Sequence, residues 1–307
     1  MIDFIKFRML DKEGFDFRTE TKKTIKLTSR FDYETGEILE FPKNGKYYNM
    51  EANITKNATY LKGSLQKFGN LYQGLGNQNY NDFSLCDCKE YLQTLCDELF
   101  IRPENTKITN LEFGLNIEMP YDPKILIEDA LLMFDFKDHN IREGFNGKGN
   151  YKEFKKSDYS IKVYNKSKQY KQNTHILRIE LKITRARILE RNNIFSLVDL
   201  YREETYEALF ELLLACFDKL MIIDIEKLNK ALKTDEINHL KNYTNPNYWN
   251  QLQKDLKPNQ FYKAKRMCNA HIIKFNSNNM KLNIEKRLRE KFNELMNCYS
   301  LSYSKAA

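Results

Sequence analysis

The chain is 307 residues long, 41% hydrophobic and 30% charged, which is enough apolar material for a large core and too much for a disordered chain. Lys and Arg number 50 against 42 Asp and Glu, a net charge of +8 that is compatible with a nucleic-acid partner and also common in ordinary soluble proteins. No signal peptide and no long apolar run are present, so the expected setting is the cytoplasm, without a membrane partner and with its cysteines as reduced thiols.

In chain order, residues 1–10 read as a strand with Ile5, Phe7 and Met9 in an apolar row and Asp3 before them. Residues 22–42 read as a hairpin turning at Glu34-Thr35-Gly36, and 46–54 continues in the same style. Over 58–70, Leu61, Gly63 and Leu65 face the core while Tyr60, Lys62, Ser64 and Gln66 face outward. The Gly- and Asn-rich stretch that follows has no Gly-Lys-Ser/Thr ending and so is no P-loop. It is a flexible turn, or a loop whose amides touch a nucleic-acid backbone. Ser84 caps a helix over 85–100, with Leu85, Leu92, Leu95 and Leu99 inward.

Residues 107–119 form the clearest strand. Leu111, Phe113, Leu115, Ile117 and Met119 make one face, and Asn110, Glu112, Gly114, Asn116 and Glu118 the other. Gly114 removes a side chain from the middle of the polar face, which marks a bulge or a close approach by another backbone or a ligand. Asp122-Pro123 opens a second helix with Ile125, Ile127, Leu131 and Leu132 buried, and 141–157 is a solvated Gly/Lys-rich loop. Two further strands lie within 159–184: Ile161 and Val163 oppose Lys162, Tyr164 and Lys166, then Leu177, Ile179, Leu181 and Ile183 oppose Arg178, Glu180 and Lys182. Beyond these the chain turns helical: a long helix at 195–225, others at 234–254 and 259–268, and a last one at 283–297 carrying a basic run.

This order predicts an α+β fold, an antiparallel sheet with helices on one face, over residues 1–192, followed by a helical region over 193–307. If the three long strands share a sheet, Glu112 and Glu180 approach on its open face beside Tyr164, Lys166 and Arg178. That set offers a nucleophile, cations for a phosphate and carboxylates for Mg²⁺ or Mn²⁺. Lys162 and Lys166 beside Tyr164 are expected to favour its phenolate. Tyr170 is the rival nucleophile, and most strand tyrosines merely pack. Cys86-x-Cys88 with Cys96 lacks zinc spacing, and the four histidines (His139, His175, His239, His271) form no His-hydrophobic-His motif, although His175 starts the Glu180 strand.

These segments together resemble the rolling-circle replication initiators of phages and plasmids, in particular the filamentous-phage replication endonucleases. The resemblance is carried by MIDFIKFRML, GSLQKFGN with NYNDF, ITNLEFGLNIE, IKVYNKSKQY and LRIELKITRARILER, from the N-terminus to about Arg191. It implies a sheet-based nicking-and-joining domain that attacks origin DNA with a tyrosine, leaving a 5′-phosphotyrosine and a 3′-OH primer. Tyr164 and Lys166 match the Tyr-x-Lys element as catalytic residues, and Glu180 with Arg178 matches Arg-x-Glu. Glu112 stands where the family shows the acid of Arg-x-Asp, so Glu112 and Glu180 are the implied metal ligands. Gln66 stands where relatives often carry His. Lys162, Arg178, Lys182 and Lys62 are the expected DNA contacts. Single-stranded or hairpin origin DNA is the expected partner, with a host helicase and polymerase beside it. The alternatives are a DNA-binding replication or regulatory protein without catalysis, and a scaffold whose charged face is only solvated.

Overall fold

The computed structural model describes residues 1–138, 150–224 and 241–298. Its frame is a nine-stranded sheet in which every pairing is antiparallel, in the order β2-β3-β4-β5-β1-β6-β10-β9-β8. These strands are β1 (Ile2–Met9), β2 (Lys26–Thr28), β3 (Lys43–Tyr47), β4 (Met50–Ile54), β5 (Thr59–Ser64), β6 (Thr106–Glu118), β8 (Tyr151–Lys155), β9 (Tyr159–Asn165) and β10 (Ile176–Ile183). β7 (Leu131–Phe134) and β11 (Leu220–Ile222) form a separate two-stranded sheet. The long strands form as expected because their apolar rows are unbroken. Leu111, Phe113, Leu115 and Ile117 of β6 and Leu177, Ile179, Leu181 and Ile183 of β10 are all buried.

Helices close that apolar side. Leu65 and Phe68 of α2 (Leu65–Tyr72), Leu92 and Leu95 of α3 (Leu85–Glu98), Leu209 and Leu213 of α6 (Glu203–Asp218), and Leu288 and Phe292 of α9 (Asn279–Met296) join the sheet residues in one core. Phe210 and Phe292 stack with ring centroids 4.0 Å apart, fixing α9 on α6. Truncating a residue such as Phe113 to Ala at the centre of this layer costs about 3–5 kcal/mol. α7 (Pro246–Asp255) and α8 (Pro258–Lys274) pack on a smaller core built on Trp249, Cys268, Ile272, Met133 and Met221. Among the described residues, no helix is long and apolar enough to cross a membrane.

Several expectations are corrected. Lys12–Lys22, a stretch with no sequence expectation, is a helix, α1, capped by Asp11. The turn at residues 34–36 exists, with Phe31 bridged to Ile38, but the strand before it, β2, pairs with β3 instead. β5 stops at Ser64, whose hydroxyl caps α2, so Gln66 is buried rather than outward. Residues 125–130 form a single wide helical turn with Ile125 exposed, and Leu131 belongs to β7. Of the expected loop at 141–157, residues 141–149 lie outside the described residues and Tyr151–Lys155 is β8. The long helix expected at 195–225 is a short turn, α6 and then β11, because Leu220 and Met221 pair with β7; residue 225 lies outside the described residues. So do residues 234–240 of the next expected helix, together with His139 and His239. Finally, Cys86 and Cys298 are joined in a disulfide across 212 residues, against the expectation of reduced thiols. Sequence spacing says nothing about a pair that distant; Cys88, Cys96, Cys216 and Cys268 are free and buried.

Candidate active site

Register decides which side chains meet. Glu180 on β10 lies opposite Gly114 of β6 on one side and Lys162 of β9 on the other. Arg178 lies between Asn116 and Tyr164, and Lys182 between Glu112 and Ser160. Gly114 is required here: a Cβ would sit 2.7 Å from the Ile179 carbonyl oxygen and 2.9 Å from the Glu180 Cα. A third carboxylate arrives from β1. By strict alternation Asp3 would point into the core with Ile5, Phe7 and Met9, but the β1–β6 register shifts between Ile2 and Ile5. The irregularity turns Asp3 to the polar face.

Asp3, Glu112 and Glu180 each offer an oxygen within 4.8 Å of the others. Lys162 Nζ donates to Glu180 Oε1 at 2.7 Å and to Glu112 Oε1 at 3.1 Å, while Lys182 Nζ lies 3.2 Å from Glu112. Arg178 Nε donates to Glu180 Oε2 at 2.8 Å and its Nη1 to Asn116 Oδ1 at 3.0 Å, with Nη2 3.6 Å from Asp3. The Tyr164 hydroxyl donates to Glu180 Oε2 at 3.4 Å. Asn79, from the Gly/Asn-rich loop, donates to Asp3 Oδ2 at 2.6 Å and accepts from Lys166 Nζ at 2.8 Å and from the Tyr170 hydroxyl. The Ser64 hydroxyl holds the other Asp3 oxygen. Asp3, Ser64, Asn79, Glu112, Lys162 and Glu180 line an open cleft of about 650 Å³ together with Tyr164, Lys166 and Lys62.

Electrostatics set the protonation. Burial, then the charge of Glu180, pushes Glu112 up to about 7 despite Lys162 and Lys182. Burial also opposes charge on Glu180, but Lys162 and Arg178 outweigh it and hold that carboxyl well below its usual range. Burial, reinforced by Arg178, drops the Lys166 ammonium to about 7. Burial and then Glu180 raise the Tyr164 phenol well above 10. The expected phenolate is therefore not favoured in this state: Lys162 serves the two glutamates, and the buried tyrosine keeps its proton.

The expected residues divide by location. Tyr164, Lys166, Glu112, Glu180, Lys162 and Arg178 come together, with Lys182 paired to Glu112 but lining a neighbouring pocket. Arg178 is 2% exposed and is held by Glu180 and Asn116, and Lys162, on the cleft wall, is held by Glu180 and Glu112. Lys62 lies farther along the same face, 3.3 Å from Glu51. Tyr170 is half-buried against Tyr80, its ring 5.2 Å from Lys166 Nζ, compared with 5.4 Å for the Tyr164 ring. His175 is exposed and lines a different cleft. Gln66 donates to Asn81, within a network that also ties Asn70 to Asn81, so the loop is held rather than loose. Asp3 and Asn79 are the members that sequence reading missed. A carboxylate inside an apolar row was the available signal for Asp3; a loop asparagine carries none.

Three carboxylates on one open face form a hard-oxygen donor set of the kind that Mg²⁺ and Mn²⁺ take. The residues fit such an ion, with the Lys162 ammonium as the resident cation between two of them.

No family model matches the chain, and no curated protein matches it. Among solved structures, the chain is similar to the rolling circle replication initiator protein from Geobacillus stearothermophilus, at 12% identity and a TM-score of 0.39, over 69% of this chain and 83% of that one.

Proposed function

We infer that the protein is a DNA-nicking and -joining endonuclease that starts rolling-circle replication, with Tyr164 as its nucleophile. The observation that carries this reading is the Tyr164 hydroxyl 3.4 Å from Glu180, inside a cleft that also holds Asp3 and Glu112. Tyr170 is the weaker candidate because it does not line that cleft. Grouping with the filamentous-phage endonucleases rests on the sequence motifs alone.

In the proposed reaction the Tyr164 oxygen bonds to the scissile phosphorus as the P–O3′ bond breaks. The enzyme keeps a 5′-phosphotyrosine, and the departing oxygen takes a proton to become the 3′-OH that a polymerase extends. Lys166, whose ammonium titrates at about 7 and whose Nζ lies 5.4 Å from the centre of the tyrosine ring, takes the phenolic proton once bound substrate brings it to the hydroxyl, and passes it to the departing O3′. Glu180 orients the phenol through its hydrogen bond. Asp3, Glu112 and Glu180 would hold Mg²⁺ or Mn²⁺, which supplies Lewis-acid stabilisation of charge on the phosphate oxygens. Lys182, 40% exposed beside Glu112, adds positive charge for the phosphate.

The test uses hairpin oligonucleotides copied from inverted repeats in the flanking source DNA, incubated with protein and Mn²⁺ and run on a denaturing gel. The wild type and Tyr170→Phe form a covalent adduct, and Tyr164→Phe does not. Full adduct formation by Tyr164→Phe removes Tyr164 from the mechanism. A second reading, a DNA-binding regulator without catalysis, is favoured by the 6% exposure of Tyr164 and by the ion pairs already made by Glu180. It predicts metal-independent binding and no adduct from any form.

A further inference from the structure

One row of side chains on the polar face stands apart from the carboxylate cluster. Reading across the sheet, Lys26 of β2 lies opposite Lys46 of β3, Lys46 opposite Glu51 of β4, Glu51 opposite Lys62 of β5, and Lys62 opposite Lys6 of β1. Directly opposed residues share a face, so four lysines and one glutamate form a single file across five strands. Two of the four opposed pairs, Lys26–Lys46 and Lys62–Lys6, set like charges side by side, which destabilises a sheet. Lysines on an edge strand guard against unwanted pairing, and that explains Lys26. It does not explain Lys62 and Lys6, which lie on interior strands.

The neighbouring row on the same face is neutral and polar at its centre, with Asn44 opposite Asn53 and Asn53 opposite Tyr60. Lys6 Nζ lies 4.7 Å from the centre of the Tyr60 ring. Together the two rows line a groove of about 550 Å³. Lys46, Glu51 and Lys62 belong both to this groove and to the cleft that holds Tyr164, so the two are continuous.

We propose that this lysine file is a track for single-stranded DNA, leading the strand from the β2 edge into the Tyr164 cleft. The lysines neutralise successive phosphates while Tyr60, Asn53 and Asn44 meet the bases. Five strands at the usual spacing span roughly 19 Å, room for about four nucleotides, the lower end of single-strand site sizes. A flat row one side chain wide, with an aromatic ring beside it, suits one splayed strand better than a duplex, whose bases are turned inward. Glu51 acts as a brake on the track, tied to Lys46 at 3.1 Å and Lys62 at 3.3 Å. The proposal rests on the DNA reading above. Its test needs neither metal nor Tyr164, so track and nicking chemistry can fail separately.

The test is the fluorescence anisotropy of labelled (dT)12 with the full chain in EDTA, titrated across KCl concentrations. Four lysine–phosphate contacts give a log K against log salt slope of about −3. Lys46→Ala and Lys62→Ala, at positions 67% and 45% exposed, each weaken binding several-fold and reduce the slope by about 0.7. Glu51→Gln, which removes no lysine, tightens binding several-fold by releasing both. Lys263→Ala, on the exposed surface of α8, leaves binding unchanged. The proposal is overturned if the Lys46 and Lys62 variants keep the wild-type slope, if Lys263→Ala loses as much as they do, or if a 12-base-pair duplex binds as tightly as (dT)12 with the same lysine dependence.

Discussion

Lys162→Met removes the ammonium shared by Glu112 and Glu180 while keeping an apolar stem of similar length. The side chain of Lys162 is 14% exposed and that of Glu180 only 2%, so water screens the pair weakly. Deleting one partner of such a pair costs about 3–5 kcal/mol; Arg178 stays on Glu180, so the loss falls on Glu112, whose remaining partner Lys182 is 40% exposed. At roughly 2.1 cal/mol/K per residue, unfolding a chain of 307 residues carries an entropy of about 0.6 kcal/mol/K. The expected fall in Tm is therefore about 5–8 °C. The loss depends on pH with a definite sign. Glu112 titrates at about 7, so at pH 6 it is mostly protonated and needs its cation less than at pH 8. The drop in Tm is larger at pH 8.

The same substitution unmasks the carboxylates for a divalent ion. With Mn²⁺ at about a hundred times its Kd, linkage returns roughly 2.7 kcal/mol, or about 4 °C of the lost Tm. Wild type, in which Lys162 competes for the same oxygens, gains less. Circular-dichroism melts of both proteins at pH 6 and pH 8, in EDTA and in Mn²⁺, read all four quantities. A Tm change below about 1 °C in EDTA at pH 8 would show that Lys162 is not the resident counter-charge. Equal Mn²⁺ shifts in the two proteins would show that the ion does not bind at these carboxylates.

Three further outcomes follow from the same geometry. Asp3→Asn keeps the contact with Ser64 but removes one of three negative donors; it should lower Mn²⁺ affinity by tenfold or more in calorimetry and abolish the adduct. Adduct formation should fall as pH drops through 7, because Lys166 must be neutral to accept a proton and Glu112 must be charged to hold a cation, and both titrate at about 7. The log-rate slope below pH 6 should be about 2 for wild type and about 1 for Lys166→Met. Gly114→Ala should destabilise the protein by about 1–3 kcal/mol, read by urea denaturation, since its Cβ meets the backbone of Ile179 and Glu180 rather than a yielding side chain.

What the sequence made legible follows from how each element is stabilised. β6, β9 and β10 could be read residue by residue because one complete apolar row faces a complete polar one, and period-two alternation has no rival explanation over that length. Alternation does not fix their adjacency; the register of Glu180 with Gly114 and Lys162 does. Asp3 was missed because alternation assigns it to the core, and only the irregularity in β1 moves it. Lys166 reached the site although the strand ends at Asn165 and Lys166 opens a short helix, α4 (Lys166–Gln169), so its placement on a continued strand was right in outcome and wrong in cause. β8 was hidden by its lysines, and β11 by running directly on from an apolar helix. The lysine file is invisible in sequence, because Lys6, Lys26, Lys46 and Lys62 become neighbours only through four pairings.

The two charged features of the polar face constrain each other. Deep in the cleft, Asp3, Glu112 and Glu180 meet Arg178, Lys162 and Lys182, so the charges nearly balance, and Glu112, pushed up by burial and then by Glu180, titrates at about 7. Along the groove the excess is positive, four lysines against Glu51. A lone anion entering the cleft is attracted by the lysines and repelled by Glu112 and Glu180. A lone cation meets the reverse at the groove. A polyanion lying in the groove, with a cation beside its innermost phosphate, satisfies both features at once. A cation there adds to the charge that Arg178 already sets beside the Tyr164 phenol and lowers its proton affinity further. On the proposed reading, Tyr164 should therefore become reactive only when strand and cation are both in place.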